Sequence, residues 1–230
     1  MFVLILQALG VVKNPLEMLI VVIAFMSCVF ISMPAHEFAH AHAAYKEGDL
    51  TAKTLKRYTL APFVHMDLAG FSFLMFFGIG FAKPVPVDPR NFKRGRRSEL
   101  RVAFAGVLVN LGLAFLSCFI YFFIQTIVPQ FFNFGFIGAL YEQFFVYMIT
   151  INLMFTLFNL LPICPLDGYR IVVSLSSTEN GFIRFMRKNS FIIMLLLFFT
   201  GILNLYISYV SNAFIELFGN IFTWFFKLFI

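Results

Sequence analysis

Long apolar segments are the feature that most constrains how this chain can fold. Residues 102–128 and 191–210 contain no charged side chain, and residues 136–161 contain one. A helix needs about 20 apolar residues to cross a bilayer. A fourth long segment, residues 15–45, begins at an Asn-Pro pair typical of a helix N-terminus. Since 61% of the 230 residues are apolar and 12% are charged, the sequence predicts an all-α, polytopic membrane helix bundle with about four full spans.

Three shorter stretches complete the predicted architecture. Residues 1–12 are apolar but too short to span as a helix, so we expect them at the membrane interface. Residues 68–81 suit a re-entrant or tilted segment, and the tail from residue 211 is expected to be amphipathic or shallow. We expect residues 1–230 to form a single membrane-embedded domain, with its core at about residues 15–175.

The basic residues predict the orientation of the chain in the membrane. Lys and Arg collect in residues 46–57, 83–101 and 170–188, whereas the loop at residues 129–135 has none. Cytoplasmic loops are the ones that carry excess Lys and Arg. All three basic segments lie on the cytoplasmic side if residues 68–81 enter and leave the membrane by the same face. The net charge of +6 is therefore interpreted as membrane orientation in a multi-pass cell-membrane protein, and not as a nucleic-acid interface.

A His-Glu-x-x-His pattern lies at residues 36–40, in the polar end of the first long segment. On a helix His36 and His40 point about 40° apart, so both imidazoles can reach one ion. Glu37 stands beside them and can accept a proton from an attacking water. A short pattern of this kind also arises by chance. In an apolar helix, however, each unpaired ionisable side chain costs roughly 2.5 kcal/mol at mid-membrane, and a shared metal is the natural partner.

Two histidines leave a catalytic zinc one protein ligand short. Residues 159–168 end the segment at 136–161 and supply a candidate in Asp167. Pro162 and Pro165 break the helix and Gly168 permits a turn. Irregular backbone near a membrane is tolerated where it is buried in protein or lines a wet cavity. The predicted topology brings Asp167 to the same face as the histidines; without them it would be interpreted as an ordinary turn aspartate.

These motifs and their order resemble those of the site-2 protease family of intramembrane zinc metalloproteases. The resemblance is to the compact prokaryotic form, without a PDZ or CBS domain. The resemblance covers roughly residues 30–172, and its matching segments are residues 36–40, 81–92, 105–110 and 159–168.

The resemblance implies one Zn²⁺ per chain, held by His36, His40 and Asp167. It implies that Glu37 activates water and that Asn159 places the substrate or steadies the oxyanion. The implied partners are the lipid bilayer and a transmembrane protein or peptide substrate, whose peptide bonds are hydrolysed in or next to the membrane. The predicted topology, and not the resemblance, places the active site towards the cytoplasmic side.

Several further residues carry open interpretations. Cys164 stands where the family more often has proline, and it is a passive substitution, a stray metal ligand or a redox-sensitive site. His65 and Asp67 either support the metal ligands as an outer pair or sit in a polar hairpin. His42 faces about 200° away from His40 and is expected to form a cap or a pair instead of binding the metal.

Gly106 and Asn110 lie four residues apart on the span at residues 102–128. A small residue at this spacing is typical of tight helix packing in membranes. We expect another helix to pack tightly against this span at Gly106, and we expect Asn110 to form a hydrogen bond near the site.

Two other functions remain as alternatives. One is a membrane metal-binding or transport protein, which would need ionisable residues along a path through several spans; residues 102–128 and 191–210 have none. The other is an inactive protease-like protein that binds transmembrane segments. Glu37 argues against it, because a binder has no need of a general base.

Overall fold

The computed structural model describes residues 14–70, 72, 82–176 and 178–229. The predictions for residues 1–12 and for most of residues 68–81 lie outside these ranges. The α-helices are α1 (Pro15–Lys46), α2 (Thr51–Thr54), α3 (Pro62–His65), α4 (Arg96–Ile127), α5 (Gly135–Asn159), α6 (Asp167–Leu175), α7 (Gly181–Phe199) and α8 (Ile202–Lys227). Short 3₁₀ turns occupy Pro89–Asn91 and Pro129–Asn133. The described residues contain an isolated bridge between Met66 and Ala82 but no strand, which confirms the all-α prediction.

Helices α1, α4 and α5 pack against one another and form the centre of the bundle. Each of the three is long and apolar enough to cross a membrane, and the bent pair α7 and α8 counts as a fourth candidate span. The chain is therefore a multi-pass membrane protein, as the apolar segments predicted.

The start of α1 follows the predicted chemistry. The Asn14 side chain accepts a hydrogen bond from the Glu17 amide at 2.9 Å, and Pro15 occupies the first turn, where its missing N–H costs nothing. The helix then continues through Pro34 to Lys46 without a break. One rigid element thus carries the whole His-Glu-x-x-His pattern.

The structure differs from the expected single span at residues 191–210. The chain bends by 69° between α7 and α8, and Gly201 adopts a left-handed backbone with φ 72° there. Residues from 211 onward continue α8 and pack on α4, with Phe222 and Phe226 buried, so they are not a shallow tail. The physical reason is a glycine that ends one helix and lets the next turn back towards the bundle.

The three basic segments meet at one end of the bundle. Their backbones and side chains are joined by hydrogen bonds over 2.6–2.9 Å, from Arg57 Nη2 to the Lys83 carbonyl, from Lys93 N to the Glu47 carbonyl, and from Arg96 Nη1 to the Ser176 carbonyl. The single face required by the predicted topology is therefore present in the fold.

Candidate metal centre

The structure brings His36, His40 and Asp167 together. The two Nε2 atoms lie 3.0 Å apart, and Asp167 Oδ2 lies 3.3 Å from His36 Nε2 and 3.1 Å from His40 Nε2. All three residues are at most 9% exposed. Two distant parts of the sequence thus supply three convergent ligand atoms, as the sequence predicted.

The residues present fit a zinc ion. Tetrahedral zinc with bonds of about 2.0–2.1 Å holds its ligand atoms about 3.3 Å from one another, close to the separations of 3.0–3.3 Å observed here. Asp167 Oδ2 is buried without a hydrogen-bond partner among the described residues, and a buried carboxylate oxygen requires one. A shared metal ion satisfies that requirement.

The Asp167 carboxyl is held in its ionised form. Burial opposes ionisation, but the close approach of the His36 and His40 imidazoles outweighs it and holds the pKa of Asp167 well below its usual range. Asp167 is also the first residue of α6, where the helix dipole favours a negative charge. A carboxylate must be ionised to ligate a metal, so its local structure prepares Asp167 for that role.

Two glycines allow the ligands to converge. A Cβ atom at Gly106 would lie less than 3.0 Å from the rings of both His36 and His40. A Cβ atom at Gly168 would lie less than 3.0 Å from the carbonyl of Leu160 at the end of α5. The close approach predicted at Gly106 is confirmed, and it places the backbone of α4 directly against the histidine pair.

A hydrogen bond fixes the orientation of His40. Its Nδ1 lies 2.8 Å from the Val102 carbonyl on α4. A carbonyl oxygen can only accept, so Nδ1 carries the proton and donates it, which leaves the lone pair of Nε2 free for a metal. The same span therefore both approaches the histidines closely and sets the tautomer of one of them.

Glu37 is held by the backbone of a distant segment. It is 9% exposed, and its Oε2 accepts a hydrogen bond from the Val85 amide at 2.7 Å. Sequence reasoning did not identify Val85. Its signal was present in Pro84-Val85-Pro86, where Val85 alone has an N–H to donate.

The structure does not bring Asn159, His42 or Asn110 into hydrogen-bond contact with the metal-ligand candidates. Asn159 donates from Nδ2 to the Phe155 carbonyl one turn back on α5, at 3.0 Å. His42 pairs with the Tyr58 hydroxyl at 2.8 Å, as expected. Asn110 is fully buried, and neither polar atom of its side chain has a hydrogen-bond partner in the described part of the chain. The expected bond from Asn110 is therefore absent from the described residues.

His65 and Asp67 form hydrogen bonds with different partners. His65 Nε2 lies 2.7 Å from the Thr59 carbonyl, whereas the Asp67 side chain accepts from the Gly70 amide at 2.9 Å. These local bonds favour the polar hairpin over an outer pair supporting the metal ligands. Cys164 is a free thiol of intermediate burial.

Comparison with known proteins identifies relatives. A family model described as peptidase family M50 matches residues 24–203. The chain is 42% identical over 147 residues to the putative zinc metalloprotease YwhC of Bacillus subtilis, covering 64% of this chain and 66% of that protein. It is 28% identical over 156 residues to the zinc metalloprotease MJ0392 of Methanocaldococcus jannaschii, covering 68% of this chain and 35% of that protein.

The aligned region thus spans just under two thirds of YwhC and about a third of MJ0392. No solved structure matches the chain significantly. The family match includes both histidines, Glu37, Val85 and Asp167. The resemblance to site-2 proteases is confirmed, and the chain belongs to peptidase family M50.

Proposed function

We propose that this chain is an intramembrane zinc metalloprotease that hydrolyses peptide bonds in or next to transmembrane segments of membrane proteins. The observation that carries the proposal is the convergence of His36, His40 and Asp167, with Glu37 beside them, inside a bundle of membrane-spanning helices. The names of both relatives agree, since each is called a zinc metalloprotease, one of them putatively.

One zinc ion would be held by His36, His40 and Asp167. When bound, it supplies a Lewis acid that polarises the scissile carbonyl and lowers the pKa of a coordinated water to about 7. Three protein ligands are the number found in catalytic zinc sites, which keep one position open. The donor set of two imidazoles and one carboxylate is also one that zinc accepts.

Glu37 acts as the general base and then as the general acid. It takes a proton from the attacking water and passes it to the leaving amine. The Val85 amide holds Oε2 of Glu37, so the carboxylate keeps one orientation while Oε1 performs the proton transfer. The near-complete burial of Glu37 removes competing bulk water from this step.

Asn159 is proposed to place the substrate or to steady the oxyanion. It is the last residue of α5, at the start of the turn-rich connection that leads to Asp167. Its amide donates to the Phe155 carbonyl, so it would exchange this bond for one with the substrate. An amide donor aimed at a developing oxyanion stabilises the transition state.

We infer that the active site faces the cytoplasm. His40 contacts Val102 and Glu37 contacts Val85, so the candidate site adjoins the basic segment at residues 83–101, and positive charge near span ends favours the cytoplasmic side. Water reaches a site near the end of a span more readily than one at the bilayer centre. We also propose that residues 1–230 act as one membrane-embedded domain, with its core at about residues 15–175.

The alternatives receive less support. A metal carrier needs ionisable groups along several spans, and residues 102–128 carry none. An inactive binder would not need Glu37 or its hydrogen bond to Val85. The relatives' names also favour a peptidase.

Zinc content and proteolysis test the proposal together. We expect about one zinc per wild-type chain in detergent and its loss in His40→Ala and Asp167→Ala. Glu37→Gln should keep the zinc but cut a transmembrane substrate at least about 10²-fold more slowly. Glu142→Gln, in another span, is the matched control and should change neither quantity.

Two results would contradict the proposal. If Asp167→Ala retains zinc, the third ligand is wrong, and Cys164 becomes the next residue to replace. If Glu37→Gln cleaves at the wild-type rate, the general base is wrong and the chain is not a protease of this kind.

A further inference from the structure

An extended arm, residues 82–92, joins the metal site to the end of α1. Near its start the Lys83 amide donates to the His65 carbonyl at 2.8 Å. Its middle carries Val85, whose amide holds Glu37 and whose side chain is buried against Ala41 and Ala52. The arm therefore covers the face of α1 that presents the general base.

The far part of the arm is attached to Asp49. Asp49 Oδ2 accepts from the Asp88 amide at 2.8 Å, and Oδ1 accepts from Asn91 Nδ2 at 2.8 Å. Oδ1 also accepts from the amide and hydroxyl of Thr51. Asp49 itself is fixed to α1, because its amide donates to the Ala44 carbonyl at 2.9 Å. Helix α1 and the turn that follows it thus hold the arm at two points, Glu37 and Asp49.

A carboxylate is the side chain that this position requires. Asp49 is 1% exposed, and no Lys or Arg side chain among the described residues forms a salt bridge with it. A buried charge is costly unless hydrogen bonds compensate it, and here four donors do so. An ionised carboxylate only accepts, whereas an asparagine amide would turn an NH₂ group towards at least one of these donors.

The ionisation of Asp49 agrees with this environment. Burial raises the pKa of its carboxyl, but the bonds from Thr51, Asn91 and the Asp88 amide outweigh burial and lower the pKa below its usual value. The charged form is therefore the one present at neutral pH.

We propose that Asp49 is a positioning residue for Glu37, acting through the arm: its carboxylate fixes Asp88 and Asn91, and this places the Val85 amide on Glu37 Oε2. The role of Glu37 in the reaction rests on the proposed function, whereas the link from Asp49 to the Val85 amide does not. Asp49 touches neither the metal ligands nor the scissile bond, and its contribution is the orientation of the base.

Glu47 provides a matched control. It is a second buried carboxylate at the same end of α1, and it accepts from Ser98 Oγ and Arg101 Nη1, both at 2.6 Å. Its side chain therefore joins α1 to α4 and not to the arm. Replacing either carboxylate costs the fold buried hydrogen bonds, four at Asp49 and two at Glu47, but only the loss at Asp49 should reach Glu37.

Amide hydrogen exchange of the full chain in detergent tests the link directly. In Asp49→Asn we expect the Val85 and Asp88 amides to exchange about tenfold faster than in the wild type. The Asp88 amide loses its hydrogen bond to the Asp49 carboxylate, and the Val85 amide loses the fixed position of the arm. Glu47→Gln should leave the exchange of both amides unchanged. Zinc content should stay the same in both variants.

Cleavage kinetics provide the second measurement. Asp49→Asn should lower kcat about tenfold with KM unchanged, because a misplaced base slows the reaction without weakening substrate binding. Glu47→Gln should retain the wild-type kcat. A wild type without proteolysis but with the expected exchange pattern would contradict the proposed function and leave the link from Asp49 to Val85 standing.

Unchanged exchange at Val85 in Asp49→Asn would overturn the proposal, as would equal acceleration in Glu47→Gln. If Asp49→Asn does not fold, Asn91→Ala decides, because it removes one bond to the arm and leaves the carboxylate in place. Faster exchange at Val85 in Asn91→Ala supports the proposal, and unchanged exchange rejects it.

Discussion

Two halves of the helix bundle are held together by different interactions. The polar half comprises residues 36–49, the arm, the start of α4 and the start of α6. The apolar half comprises the later part of α4, the middle of α5 and α8, which share one buried cluster. The polar half depends on directional hydrogen bonds and on the geometry of the candidate metal ligands, and the apolar half depends on side-chain packing.

The apolar half is organised by phenylalanine rings. Three α4 rings spaced four residues apart face α8, with centroid distances of 5.1–5.3 Å. The pairs are Phe115–Phe218, Phe115–Phe222, Phe119–Phe222, Phe119–Phe226 and Phe123–Phe226. The order of the pairs shows that the two helices run parallel. Edge-to-face rings at these distances attract one another beyond simple area burial.

The difference between the two halves shows which part of the molecule depends on precise atomic positions. Lipid tails are as apolar as these rings, so association of α4 with α8 depends on packing and tolerates adjustment. The polar half must instead hold donor and ligand atoms within tenths of an ångström. Each half therefore predicts a different response to the same kind of substitution.

The largest expected contrast is between Gly106→Ala and Gly219→Ala. Both new Cβ atoms would lie less than 3.0 Å from ring atoms, those of His36 and His40 at position 106 and those of Phe122 at position 219. Gly106→Ala should displace the imidazoles and weaken zinc binding at least about tenfold. Gly219→Ala should keep full zinc binding, because the Phe122 ring can shift within the apolar half. Zinc titration of both variants measures the contrast; equal zinc affinities would remove it.

The next contrast concerns stability. Phe222 is 8% exposed at the centre of the apolar cluster. Phe222→Ala should lower the free energy of unfolding by about 2–3 kcal/mol, because it leaves a cavity in the packed cluster. Packing matters here because the lipid supplies little hydrophobic driving force for helix association. Zinc content measured below the melting temperature should stay at the wild-type level. Loss of zinc in the folded variant would show that the two halves are coupled.

The smallest expected effect is a dependence on pH that arises in the polar half. Hydrogen bonds from Ser98 and Arg101 lower the pKa of Glu47. A lowered pKa contributes stability above the ordinary value of about 4.3 and loses it as the pH falls through the folded-state value. The wild-type melting temperature should therefore fall between about pH 5 and pH 3.

Glu47→Gln should flatten this fall, and Phe222→Ala should retain the wild-type slope because it removes no titratable group. Thermal unfolding of the three proteins across this pH range provides the measurement. Parallel curves for the wild type and Glu47→Gln would show that the bond network at Glu47 does not contribute.

Much of the fold was predictable from local patterns. The apolar segments at residues 102–128 and 136–161 correspond to α4 and α5, and the Asn-Pro pair marks the start of α1. The bend at Gly201 was missed, because hydropathy continues unchanged across it and gives no sign that the helix axis turns. The packing of residues after 211 on α4 was missed for the same reason, since lipid-facing and protein-facing rings look alike in sequence.

The candidate site divides in a similar way. His36, Glu37, His40 and Asp167 were predicted, because metal chemistry demands particular side chains at particular spacings. The contacts of Asp49 with the arm were not, since an aspartate after a helix end is usually a turn residue.

The sequence by itself indicated that this chain crosses a membrane several times, that two candidate metal ligands lie on one helix, and that a third candidate follows a broken span. Those features depend on composition and on spacing along one element. The tertiary structure alone decided that the Val85 amide holds Glu37, that Asp49 anchors the arm, and that α8 runs parallel to α4. Contacts of these kinds depend on the backbone positions of distant segments. Every residue except proline has a main-chain N–H group, so the sequence does not show which of them donates to a distant side chain.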